Sequence, residues 1–208
     1  MSSPSRRDEI LNTALKLFNE QGSANVSTRH IAEAMGISPG NLYYYFPHKE
    51  AIIHAILDRA EALFEEVYDF DSAHLPSPKS LLKRREHYFW EYRFFQSEMM
   101  LLFQNDPSLK ERFGKLQQKR LKEIEKMLGV LQEAGILRPL KEELKKILTQ
   151  NLWIVSNFWN LFLEIEGRLF EEETKGVIEN ILALLKPHMT REGIAWILLD
   201  NEHEGVKA

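Results

Sequence analysis

Residues 27–50 read STRHIAEAMGISPGNLYYYFPHKE, and two short helices can be marked on them before the rest of the chain is consulted. Ser27 is a capping residue type, and the helix it opens must stop at Gly36, the residue that best tolerates the positive φ of a tight turn. Ser38 caps a second start, with Pro39 at the first helical position, where a missing N–H costs nothing. Pro47 closes that helix, because the residue before a proline resists the α conformation. Ile31, Met35, Ile37 and Leu42 supply an apolar seam, and Ala32 is small where the helices must approach. The spacing predicts helices at 27–35 and 39–46 joined by a sharp turn, a helix-turn-helix.

Upstream, Ile10, Leu11, Ala14, Leu15 and Phe18 form a stripe of helical period between Ser5, a cap with Asp8 three residues on, and Gly22, a stop. Downstream, a fourth helix is expected over 49–68. A breaker-rich joint, DFDSAHLPSP (69–78), then leads to helical stretches at 79–103, 107–134, 140–166, 171–186 and 190–200. No segment alternates with period two. The reading is all-α: a small three-helix unit at 1–50, followed by a larger helical body at 51–208, with helix 49–68 connecting the two.

Composition narrows the classes. There is no cysteine, which excludes a disulfide framework and thiolate chemistry. The start, MSSPSRRDEILN, lacks the apolar core of a signal peptide, and the most apolar run, 152–163, is too short to span a bilayer, so the expectation is a cytoplasmic protein with no membrane partner. The net charge of −4 counts against a nucleic-acid partner, but residues 1–50 balance five cations (Arg6, Arg7, Lys16, Arg29, Lys49) against five carboxylates.

In a helix-turn-helix the second helix enters the major groove and the first crosses the backbone. Ser38, Gly40 and Asn41 open the second helix, and Asn41 is able to read a base edge. Thr28 and Arg29 open the first. Lys49 opens the fourth, where a cation opposes the helix dipole and an anion is therefore expected. The stretch from LFNEQG through S-T-R-x-I-A, G-I-S-P-G-x-L-Y and Y-F-P-x-K-E resembles the DNA-binding domain of the TetR/AcrR family of helix-turn-helix transcriptional regulators. The resemblance covers about a quarter of the chain, residues 6–55. It implies that Leu42, Tyr45 and Phe46 pack inward while Tyr43 and Tyr44 lie along the sugar-phosphate wall. The implied DNA-binding set is Thr28, Arg29, Ser38, Gly40, Asn41, Tyr43, Tyr44, His48 and Lys49. His30 and His48 depart from the pattern, standing where family members often carry a carboxylate and a small capping residue.

In the larger half, HYFWEYRFFQSEMMLLFQ (87–104) and NLWIVSNFWNLFLEIEG (151–167) are apolar nearly all round. The second stretch, with VIENILALL (177–185), is the candidate homodimer interface, with Trp153, Phe158, Trp159, Leu182 and Leu185 as contacts. The resemblance also implies a pocket for an apolar or aromatic small-molecule effector, its wall drawn from Phe89, Trp90, Phe94, Met99, Phe103, Trp153 and Phe162. Glu98, Asn151 and Asn157 are polar groups able to orient such a ligand. The expected function is a dimeric repressor on a palindromic double-stranded operator, with no cofactor, released by the effector. The alternative is a helical protein-interaction regulator without a small-molecule ligand. Neither a catalytic motif nor metal-ligand spacing is visible, so an enzyme is not expected.

Overall fold

The computed structural model describes residues 5–65, 90–170 and 176–202. The described residues form helices α1 (Arg6–Gln21), α2 (Thr28–Ala34), α3 (Pro39–Tyr45), α4 (Lys49–Glu65), α5 (Arg93–Asn105), α6 (Pro107–Glu133), α7 (Glu142–Ile165), α8 (Gly176–Leu185) and α9 (Arg191–Glu202). Among them the only β pairing is one isolated bridge, Leu137 with Met189, so the class is all-α as expected. The expected helical residues 66–68, 79–89 and 171–175, with Phe89 among them, lie outside the described residues.

The chain divides into two compact units, Met1–Phe64 with Glu91–Glu111, and Glu65–Trp90 with Arg112–Ala208. In the first, Ser5 caps α1 with a full capping box to Asp8, and the stripe Ile10, Leu11, Ala14, Leu15 and Phe18 is buried as read. Ile31, Ala32, Leu42, Phe46, Ile52 and Ile56 of the same unit are also buried, none more than 2% exposed. α2 ends in a Schellman motif: Gly36 adopts φ 65°, its N–H donates to the Glu33 carbonyl at 3.1 Å, and Ile37 N–H donates to Ala32 at 3.0 Å. That motif sets the angle between α2 and α3.

The same unit contains α5. Asn19 of α1 donates to the Glu91 carbonyl at 2.7 Å and accepts from Phe94 N–H at 3.1 Å, and the rings of Phe18 and Phe94 lie 5.3 Å apart. At the start of α6, Asp106 caps the helix, accepting from Ser108 and Leu109, and sits 2.8 Å from His54 Nε2 on α4. The Ser108 hydroxyl, then the His54 contact, hold the Asp106 carboxyl down to about 2. This Ser-His-Asp group is no nucleophile relay, because both oxygens face the same imidazole nitrogen, Nε2, and Asp106 does not orient the ring from Nδ1. It fastens α4 to the α5–α6 corner.

The second unit buries Ile124, Leu128 and Leu131 of α6 with Leu148 and Leu152 of α7, Ile178, Ile181 and Leu185 of α8, and Met189. α9 is seated through Thr190, whose hydroxyl donates to the Gly135 carbonyl at 2.6 Å and accepts from Gly193 N–H at 3.0 Å. A Cβ on Gly193 would lie 2.2 Å from the Ile136 carbonyl oxygen, which is backbone and cannot step aside. Gly193→Ala is therefore expected to cost about 1–3 kcal/mol, read as a thermal midpoint several degrees lower. Gly114→Ala, in an α6 turn with nothing within 4 Å of the new methyl group, should instead raise it.

Along α7 the usual distribution is inverted. Thr149, Ser156 and Asn160 are buried together with Leu148, Leu152 and Leu163, while Ile147, Ile154, Phe158, Phe162 and Ile165 face outward, 40–78% exposed. The outward positions 147, 154, 158 and 165 fall at heptad-like spacing on one side of the helix.

Candidate nucleic-acid interface

The site is assembled from the ends of three helices. Ser27 caps α2, its hydroxyl accepting from His30 N–H at 3.2 Å, and Ser27 N–H donates back to His30 Nδ1 at 3.4 Å. His30 thus takes the reciprocal place of the usual Glu or Gln in a capping box. Ser38 caps α3 by accepting from Asn41 N–H at 3.2 Å. His48 caps α4, its Nδ1 accepting from Ala51 N–H at 3.2 Å. The Glu50 carboxylate lies 3.2 Å from that same nitrogen, so the imidazole either accepts from Ala51 or, protonated there, donates to Glu50. Both histidine departures in the sequence are capping groups.

Thr28, Tyr43, His48 and Lys49 converge on one open depression of about 310 Å³, lined also by Val26 and Pro47. The Tyr43 hydroxyl lies 3.2 Å from Thr28 Oγ1, tying α3 to α2 while leaving the tyrosine half exposed. Lys49 donates to the Ser23 carbonyl at 2.6 Å. A cation at the start of a helix thereby has an internal acceptor, and its placement does not by itself demand an external anion. Arg29, next to Thr28 on α2 but not part of the depression's lining, pairs with Glu33 at 2.9 Å, and both side chains are largely solvated. Such a pair contributes about 0–1 kcal/mol and is readily exchanged for a phosphate.

The other expected DNA contacts do not line this depression. Ser38, Gly40, Asn41 and Tyr44 are exposed on α3, with Tyr44 the most open large apolar side chain among the described residues and edge-on to Tyr45. A Cβ on Gly40 would meet only Ser38 Oγ, at 4.0 Å, so nothing inside the protein requires glycine there. Leu42 and Phe46 are buried and Tyr45 half buried, as the resemblance implied. Arg7 lies over the Phe46 ring at 5.0 Å, and Arg6 pairs with Glu9. Sequence reasoning missed Ser23 and the internal bond of Lys49; no local signal marks either.

The larger-half candidates are dispersed. Phe94 packs on Phe18 inside the first unit, Met99 is buried there, and Phe103 and Trp90 are half buried. Trp153 and Trp159 are half buried on α7, their rings against Phe158 and Phe162 respectively. Leu182 packs against the second unit's core and Leu185 lies within it, whereas Phe158 is presented at the surface. Asn151 is half buried. Glu98 and Asn157 are engaged internally, by Ser23 and by the Trp153 carbonyl. Gln96 of α5 is buried with its side-chain carbonyl unsatisfied among the described residues. No group of three or more metal-ligating side chains occurs among the described residues, and no helix of theirs is long and apolar enough to cross a membrane.

Residues 10–56 match the family described as bacterial regulatory proteins, tetR family, and residues 60–195 match that of the TetR bacterial transcriptional repressor. The chain belongs to the TetR family. A TetR-family transcriptional regulator from Marinobacter aquaeolei VT8 is 32% identical, with TM-score 0.85 over 96% of this chain and 98% of that one. The SmeT–triclosan complex shares the fold at 21% identity, with TM-score 0.62 over 89% and 92% of the two chains. Among curated relatives, UidR of Escherichia coli K12, an HTH-type transcriptional regulator, is 44% identical over 64 residues, 29% of this chain and 33% of UidR. That match therefore spans only a third of the relative's length. As a TetR-family member the chain is a DNA-binding transcriptional regulator, and its helix-turn-helix is the α2–α3 pair.

Proposed function

We propose that the protein is a dimeric one-component repressor that binds a palindromic operator with two copies of the α2–α3 head and lets go when an apolar small molecule occupies its carboxy-terminal half. The observation that carries the DNA reading is the convergence of Thr28, Tyr43, His48 and Lys49 on one open depression beside an α3 face bearing Gly40, Asn41 and Tyr44. Neither α2 nor α3 has a carboxylate in its first turn to repel a phosphate. Dimerisation is supported by the inverted α7, whose apolar outward face gains free energy only when covered. An effector is supported by the complex of SmeT, which shares the fold, with triclosan, an apolar aromatic molecule.

The test is a titration of the chain against duplex DNA from upstream of its own gene and against a scrambled duplex, over a salt series. Binding at least about 10³-fold tighter to the first, weakening steeply with salt, is expected. Equal affinity for both duplexes refutes the reading.

A further inference from the structure

Lys49 stands among the phosphate-facing groups, yet its ammonium is committed to Ser23, a residue 3% exposed in the 3₁₀ turn between α1 and α2. That turn is weakly held by its own backbone, through bonds of 3.2 Å from Asn25 N–H to Gly22 and 3.4 Å from Val26 N–H to Ser23. What fixes Ser23 comes from far along the chain. Glu98 of α5 accepts the Ser23 amide with both carboxylate oxygens, at 2.9 and 3.0 Å, and accepts the Ser23 hydroxyl as well. One serine thus carries a carboxylate on its N–H and an ammonium on its C=O, two charge-assisted bonds on the peptide groups flanking a single α-carbon.

We infer that Glu98 is a positioning residue for DNA binding: acting through Ser23, it holds the Lys49 ammonium at the edge of the depression with Thr28, Tyr43 and His48, leaving two ammonium donors for a phosphate. The inference rests on the DNA reading proposed above. An opposing effect has the opposite sign. The Glu98 carboxylate is itself a negative charge near the interface, and by Coulomb's law alone its removal would strengthen binding to DNA. The direction of the change therefore separates positioning from simple repulsion.

The experiment measures operator affinity against salt for the full chain and for Glu98→Gln, Glu98→Ala, Lys49→Ala and the double variant Glu98→Ala/Lys49→Ala. Positioning predicts that Glu98→Ala binds about tenfold more weakly, the worth of one charge-assisted contact. It also predicts a salt slope shallower by up to about 0.9, approaching that of Lys49→Ala. Glu98→Gln, which keeps an acceptor for Ser23 N–H, should fall between wild type and Glu98→Ala. The double variant should match Lys49→Ala within twofold, since Glu98 acts only through the lysine. Amide exchange should quicken at Ser23 in Glu98→Ala while Ile52 and Ile56 of α4 stay protected, showing that the head remains folded. Tighter or unchanged binding in Glu98→Ala, an unchanged salt slope, or losses that multiply in the double variant would each overturn the inference with the DNA reading intact. A wild-type chain that binds no duplex removes both.

Discussion

The paired substitution Ile154→Asp with Phe158→Asp should yield a folded monomer whose operator affinity is lower by about 10³-fold or more. Both side chains are roughly half exposed on the outward face of α7, so the protomer loses little core packing when they are changed. In a twofold dimer the same patch meets itself, and each new carboxylate is buried near its own copy. The attraction it opposes is modest. Ile147, Ile154, Phe158 and Phe162, half buried already, and the mostly exposed Ile165 contribute about 1 kcal/mol or slightly more each on full burial, near 10 kcal/mol for two protomers. Association itself costs about 4–15 kcal/mol, so four buried carboxylates suffice to tip the balance. The consequence for DNA is larger than for the interface. A specific dimer at about 10⁻⁹ M divides its roughly 12 kcal/mol between two half-sites, leaving a lone head near 10⁻⁴ M. Sedimentation and a duplex titration read the two effects. A variant still dimeric at micromolar concentration refutes the α7 interface, and a monomer with undiminished affinity refutes the paired-head mechanism.

How far these features could be read from the text depended on how local their causes are. The α2–α3 turn was legible because its determinants lie within a dozen residues: Ser27, Gly36 and the Ser38-Pro39 pair each act on backbone a turn away. The histidines were visible as oddities, but whether an imidazole accepts from a backbone N–H depends on its rotamer, which sequence does not state. Glu98 and Ser23 are separated by 75 positions, and no periodicity links them. The outward face of α7 was hidden for a different reason. Residues 152–163 are apolar on nearly every side, so a helical period gives no phase. The phase was carried instead by Thr149, Ser156 and Asn160, polar residues that turned out to face inward, opposite to the ordinary rule.

Tyr43→Ala should weaken operator binding by about 10–100-fold with the head still folded, which corresponds to one bidentate-strength contact at roughly 1.4–2.7 kcal/mol. The side chain is half exposed, and its one described internal tie is the hydroxyl contact with Thr28 at 3.2 Å, so the folding cost is small beside the binding loss. Tyr43→Phe divides the loss in two. If the ring against the sugar-phosphate wall dominates, phenylalanine retains most of the affinity; if the hydroxyl bridging Thr28 to a phosphate dominates, phenylalanine and alanine behave alike. In neither case should the salt slope change, because a neutral tyrosine releases no counterion, whereas Arg29→Ala should flatten it by about 0.9. Near-wild-type affinity in Tyr43→Ala would move the recognition surface off the depression and onto the exposed Asn41 and Tyr44 face alone. A loss accompanied by a flattened slope would mean that the ring acts by placing Lys49 across the depression, rather than by touching DNA itself.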